Sequence, residues 1–177
     1  MAMDGRYGLV ISFRPRRCVM GLDIRSGVLE AFAGQCDSTR LRLSGDRLKD
    51  LKLKQPIGVA FDGGFNIYIA MIRAGENLIS VSMKTDKVVN VFRIPKPPRR
   101  IGFDITTNSI YATVNHGFGK FDLKSRDFSL LIGSLAQMNS SNFHVSVPLD
   151  EVELLHAAGF VKIGLYRWMI ADPHKHR

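Results

Sequence analysis

Residues 56–70 read PIGVAFDGGFNIYIA. The stretch divides into an apolar segment that ends in Phe61-Asp62, a short turn, and a second apolar segment that contains Tyr68. Two short apolar segments separated by turn residues are typical of a β-hairpin. The same pattern returns at residues 100–112, which read RIGFDITTNSIYA, about 42 positions further along the chain. The sequence therefore contains an internal repeat built from β-strands.

The second half of the unit repeats as well, as a strand, a polar turn and a strand. It appears as VMGLDIRSGVLEAF at residues 19–32, LISVSMKTDKVVNVF at 78–92 and FGKFDLKSRDFSLL at 118–131. A unit of four short strands in about 40–45 residues has the size of one β-propeller blade. We therefore predict an all-β fold with about three four-stranded antiparallel blades, in which Tyr68 and Tyr111 pack between blades. An unrelated β-sandwich with accidental internal similarity is the alternative.

The best of these units resembles the NHL repeat. Residues 56–62 are similar to the family pattern Pro-x-Gly-Val-Ala-x-Asp, residues 65–70 to its Gly-Asn-x-Tyr-x-Ala strand, and residues 32–34 to the Phe-Ala-Gly that often closes a blade. The sequence departs from the pattern at Met71, where the family has Asp, and gluconolactonase-like propellers share much of the motif. The resemblance covers roughly residues 18–134 and implies a six-bladed ring of about 250 residues. We therefore expect a partial, open propeller whose unpaired strand edges favour self-association.

The repeat also predicts how the chain is organised. Residues 1–134 are expected to form the NHL-like blades. Residues 135–177 are expected to form a degenerate blade or an extension, with a short helix at 149–158 and one strand over 161–170. A basic segment joins blades at residues 93–100 and is expected to be kept extended by its prolines.

Charge bears on the class of partner. The formal net charge is +9, which raises the chance of an anionic partner without establishing one. Arg93, Lys96, Arg99 and Arg100 lie in one predicted connection without an acidic residue, so they are the candidate binding residues for RNA or another partner. The NHL resemblance implies that both RNA and protein partners occur, and protein binding is the commoner role of propellers.

No catalytic or metal-binding pattern stands out. The five histidines lack metal-ligand spacing, and Asp62 and Asp104 are expected to hydrogen-bond the turns that follow them. We therefore predict no cofactor, no metal and no catalytic residue. Cys18 and Cys36 are expected to be two reduced thiols, with Cys18 buried in a strand. No window approaches the length of a membrane span, so a cytoplasmic protein without a membrane partner is expected.

These expectations combine into one functional prediction. The chain is predicted to be a non-enzymatic binding scaffold that mediates protein–protein interaction. Two alternatives remain open, which are RNA binding through the basic connections and the remnant of a lactonase-like or lyase-like propeller enzyme.

Overall fold

The computed structural model describes residues 8–36, 48–72, 76–114, 116–134, 159–164 and 167–171. The chain divides into two compact units, Met1–Pro98 and Arg99–Arg177. In the first unit, one antiparallel sheet has the order β1-β2-β3 and a second has the order β4-β5-β6-β7. The bounds of these strands are β1 Gly8–Phe13, β2 Cys18–Asp23, β3 Leu29–Ala33, β4 Pro56–Phe61, β5 Asn66–Met71, β6 Leu78–Ser82 and β7 Lys87–Phe92. Short 3-10 turns occur at Arg14–Arg16 and Leu48–Asp50.

The second unit also consists of antiparallel sheets. A four-stranded antiparallel sheet has the order β8-β9-β10-β11, and a separate pair of strands, β12 and β13, follows it. The bounds are β8 Pro98–Asp104, β9 Ser109–Val114, β10 His116–Asp122, β11 Phe128–Ser134, β12 Gly159–Gly164 and β13 Arg167–Ala171. The all-β class and the blade-like sheets predicted from the repeat are confirmed, and the arrangement is that of a partial β-propeller. In the described residues the first blade has three strands, whereas the next two have the predicted four.

The core of the first unit lies between its two sheets. Strand β5 places Ile67, Ile69 and Met71 on one face, and all three are fully buried. They belong to one apolar cluster with Val10 and Val19 of the first sheet. Full burial of one such side chain contributes about 1.5–3 kcal/mol. The first unit is therefore held together by apolar contact between sheets, as the blade pattern requires.

One hairpin geometry recurs in all three blades, where the third strand of the repeat turns into the fourth. Asp23 N donates to Val28 O at 2.9 Å, and Asp122 N donates to Asp127 O at the same distance. We count each hairpin from the last residue of its first strand, which is Asp23, Ser82 or Asp122. The fifth residue then has a positive φ, a conformation that Gly, Asn and Asp adopt most readily. These fifth residues are Gly27, Asp86 and Arg126. The sequence repeat is therefore matched by a repeat of backbone conformation.

The two repeat tyrosines occupy equivalent positions, as predicted. Tyr68 is the third residue of β5 and pairs with Ser80, and Tyr111 is the third residue of β9 and pairs with Lys120. Both side chains are buried. Tyr111 stacks on Phe118 with ring centroids 5.8 Å apart. Part of its packing therefore lies within its own sheet.

Cys18 and Cys36 form a disulfide bridge, so the expectation of two reduced thiols is wrong. Their Cα atoms are 5.1 Å apart, within the range that a bridge spans. Cys18 is fully buried, as predicted. Antiparallel pairing sets Val19 opposite Ala33, which brings the end of β3 and the following residues beside Cys18. This proximity depends on strand register, which the spacing of two cysteines in a sequence does not reveal.

The C-terminal predictions have two outcomes. The helix predicted at 149–158 lies outside the described residues. The single strand predicted over 161–170 is instead a hairpin of β12 and β13, in which Phe160 pairs with Ile170. Gly164 lies inside the predicted strand, and glycine weakens a strand interior. The division of the chain at residue 134 stays a prediction.

Candidate functional site

The connection between β7 and β8 is shorter than the sequence predicts, because β8 already begins at Pro98. A proline is tolerated as the first residue of a strand, where its missing N–H removes no ladder bond. Arg99 and Arg100 are therefore strand residues, and Arg100 N donates to Thr113 Oγ1 at 3.1 Å. The expectation that residues 93–100 form one extended connection is wrong for its last three residues.

The four candidate basic residues consequently fall into two pairs. Arg93 and Lys96 lie in the connection, in the first unit, and are exposed. Arg99 and Arg100 follow each other in β8 and so project to opposite faces of that strand. The role of these four residues in binding RNA or another partner stays a prediction.

A buried asparagine holds the start of this connection. Asn77 is 3% exposed, and its amide Nδ2 donates to Ile94 O at 2.8 Å. Ile94 N donates back to Asn77 Oδ1, also at 2.8 Å. The side chain thus satisfies both backbone groups of Ile94, as a neighbouring strand would. The exposed Arg93 lies directly before this anchored residue, so its backbone position is well defined.

The recurring aspartates hydrogen-bond their own turns, as predicted. Asp62 Oδ1 accepts from Gly64 N at 2.8 Å, and its Oδ2 accepts from Asn66 Nδ2 at 2.7 Å. Asp104 Oδ1 accepts from Thr106 N at 3.1 Å and from Thr106 Oγ1 at 2.7 Å. The sequence correctly identifies these carboxylates as turn-forming groups.

The hairpin aspartates of the first and third blades do the same. Hydrogen bonding by the Ser26 side chain and the Arg25 N–H lowers the pKa of Asp23 below its usual value. The backbone N–H groups of Ser125 and Lys124 lower the pKa of Asp122. Both shifts arise because these bonds stabilise the charged carboxylate. The carboxylates are therefore ionised partners of the backbone at neutral pH.

Two turns of the second sheet meet at Phe65, a residue that the sequence motif did not single out for binding. The turn at residues 62–65 joins β4 to β5, and the turn at residues 83–86 joins β6 to β7. Met83 N donates to Phe65 O at 2.8 Å, which ties the two turns together. The Phe65 side chain is nonetheless 62% exposed. An aromatic side chain in a turn, where polar residues are usual, is the sequence signal that could have identified it.

Tyr68 lies on the strand that follows this turn. Burial, and secondarily the negative charge of Asp62, raise the pKa of Tyr68 to about 12. Both causes disfavour the phenolate, so the hydroxyl keeps its proton at all physiological pH values. Tyr68 is consequently a buried side chain with a protonated hydroxyl.

A metal site needs several ligating side chains that converge on one point. In the ranges that the structure describes, no group of three or more His, Cys, Asp or Glu side chains is placed to hold a metal ion. The expectation of no cofactor, no metal and no catalytic residue stays a prediction. Within the same ranges, no helix is long and apolar enough to cross a membrane.

Comparison with known proteins supports the fold. No known protein family and no curated protein matches this sequence. An auxiliary nutrient binding protein from Bacteroides thetaiotaomicron is similar in structure, with a TM-score of 0.56 and 15% identity over 92% of this chain and 37% of the other. Kuenenia stuttgartiensis hydrazine synthase matches 73% of this chain and 33% of its own, with 14% identity and a TM-score of 0.48. The likeness to the nutrient binding protein, at 15% identity, shows the fold alone. This chain spans about a third of the length of both proteins.

Proposed function

We propose that this protein is a non-enzymatic propeller scaffold that binds a protein partner at the surface formed by residues 62–65 and 83–86, with Phe65 as the central contact. The observation that supports the proposal most directly is the exposure of the Phe65 side chain at 62%. Aromatic residues, phenylalanine among them, are enriched in the buried centre of protein interfaces, so an exposed ring on an ordered turn supports a role in binding.

The turn that carries Phe65 is well suited to binding. The two carboxylate oxygens of Asp62 bind groups at both ends of the turn, and Phe65 O accepts from Met83 N. Because its backbone is already ordered, the turn loses little conformational entropy when a partner covers the ring. Lys84, Thr85 and Asp86 are exposed beside it and form a polar margin of mixed charge. An apolar centre with a polar margin is the usual composition of a protein interface.

The roles of the aspartates favour binding over catalysis. Asp62 and Asp104, the acidic residues that recur in the sequence repeat, use their carboxylates to order the turns that follow them. A lactonase-like or lyase-like enzyme would need such groups free to bind a metal or a substrate. The resemblance of residues 56–70 to the NHL repeat, a scaffold of recognition proteins, supports the same conclusion.

Site-specific photocrosslinking tests the proposal. A benzoyl-phenylalanine replaces Phe65 in one protein and Val89 in a matched control, because Val89 is 53% exposed on β7 of the same sheet. We expect a crosslinked protein from position 65 that does not form from position 89.

The crosslinked partner is then purified and titrated by calorimetry against the wild type, F65A and V89A. Loss of a central aromatic contact costs about 2 kcal/mol or more, so F65A should bind about 30-fold more weakly, and V89A should bind as the wild type does. Equal crosslinking from both positions, or wild-type affinity of F65A, would refute the proposal.

A further inference from the structure

A second exposed feature lies in the first sheet, at the turn between β1 and β2. Residues 13–17 read FRPRR, and we call them the arginine turn. Arg14, Pro15 and Arg16 form a 3-10 turn and are exposed, and Phe13 before them is 42% exposed. The turn therefore offers guanidinium groups and an aromatic ring to solvent within a few residues.

The backbone of the arginine turn is held in place by its surroundings. Arg17 N donates to Arg14 O at 3.1 Å, and Arg17 itself has a left-handed conformation with φ 59°. Gly34 lies close against the turn, since a Cβ at that position would be 3.1 Å from Arg17 O. The bridge between Cys18 and Cys36 begins at the next residue. A positively charged turn ordered in this way binds anions with a small loss of conformational entropy.

The acidic residues of the first sheet lie away from Arg14 and Arg16, and Asp50 lies on the 3-10 turn that packs against β3. In residues 8–36, the acidic residues are Asp23 and Glu30. Asp23 pairs with Gly8, at the opposite end of β1 from Phe13. A strand of this length spans about 17–20 Å, about twice the distance over which salt screens exposed charges. Glu30 pairs with Gly21, which is level with Val10 and not with the end of β1. Within the residues that the structure describes, no ion pair within 4 Å joins Arg14 or Arg16 to a carboxylate.

We propose that the arginine turn binds the sulfate groups of a sulfated polysaccharide. A guanidinium group donates two parallel hydrogen bonds to a tetrahedral oxyanion, and this geometry favours arginine over lysine. The bridge beside the turn persists in oxidising compartments. The proposal places the protein in such a compartment outside the cell, where sulfated glycans rather than RNA are the available polyanions. The exposed ring of Phe13 supplies an apolar surface for a sugar ring next to the charged groups.

Heparin-derived octasaccharide is the test ligand, and a single-stranded RNA of equal formal charge is the comparison. Affinity is measured by calorimetry at several salt concentrations for the oxidised wild type, for R14A/R16A and for R25A/K124A. The last variant is a matched control, because Arg25 and Lys124 are exposed at the third position of the recurring hairpins and removing them changes the net charge equally. Thermal unfolding of each variant checks that the fold is retained.

We expect R14A/R16A to bind heparin at least tenfold more weakly at low salt. The slope of log affinity against log salt should fall by about one for each lost contact, since each contact releases counterions. R25A/K124A should change heparin affinity less than twofold, and the wild type should bind RNA more weakly than heparin. Equal losses in the two double variants would show attraction by net charge alone and overturn the proposal. If R14A/R16A lost affinity for RNA but kept its affinity for heparin, the proposal would also be overturned.

Discussion

Replacement of Asn77 by alanine tests whether one side chain holds the start of the β7–β8 connection. Asn77 is 3% exposed and Ile94 is 1% exposed, so water does not readily replace the two bonds that join them. The substitution leaves the N–H and the C=O of Ile94 without these 2.8 Å partners. Each buried backbone group left unsatisfied costs about 1–3 kcal/mol. We therefore expect N77A to lower the free energy of unfolding by about 2–6 kcal/mol.

The assay is urea unfolding followed by far-ultraviolet circular dichroism. The midpoint should fall while the m-value stays constant, because the surface exposed on unfolding is almost unchanged. The matched control is N90A in β7, where Asn90 Nδ2 donates to Ser80 Oγ at 3.3 Å and is only partly buried. This variant should lose less than about 1 kcal/mol. An N77A protein within about 0.5 kcal/mol of the wild type would refute the reasoning.

Three further outcomes are expected. G119A should unfold at a lower temperature than the wild type, because its new Cβ would lie 2.7 Å from Ser129 O of β11 and the backbone would have to move. Differential scanning calorimetry measures the unfolding midpoint, and an unchanged midpoint would contradict this prediction. The lowered pKa values of Asp23 and Asp122 mean that their stabilisation is present above the unfolded-state pKa and lost as pH falls through the folded-state pKa. Stability measured from pH 7 to pH 2 should therefore fall less steeply below about pH 4 in D23N/D122N than in the wild type. Thiol titration of the unfolded, unreduced protein should detect neither Cys18 nor Cys36, and both after reduction; two thiols before reduction would show that the bridge is absent.

The thiol titration also bears on the cellular compartment in which the protein works. Disulfides are rare in cytosolic proteins, because thioredoxin and glutathione keep thiols reduced. The cytoplasmic location expected from the sequence stays a prediction, and a stable bridge would argue against it. The same measurement bears on the proposed ligand of the arginine turn, which the protein would meet in an oxidising compartment.

Local features of the fold could be predicted from the sequence because they depend on near neighbours along the chain. The alternation of apolar residues in 56–70 places side chains on two faces of a strand without knowledge of the rest of the molecule. The bonds from Asp62 to its turn join residues two to four positions apart. The equivalence of Tyr68 and Tyr111 follows from the repeat itself. These features therefore agree between the sequence and the structure.

Other features were decided only by the tertiary structure. The bridge from Cys18 to Cys36 depends on the β2–β3 register, which shifts by one residue between Val19 and Met20. The bonds from Asn77 to Ile94 join residues 17 positions apart, and no local pattern predicts them. The exposure of Phe65 depends on which neighbouring elements leave its ring uncovered. The strands, the turns and their repetition could be predicted from the sequence, because they arise from local alternation and from hydrogen bonds between residues that are close along the chain. The paired cysteines, the anchored connection and the exposed contacts could not, because they arise from strand register and from packing between distant segments.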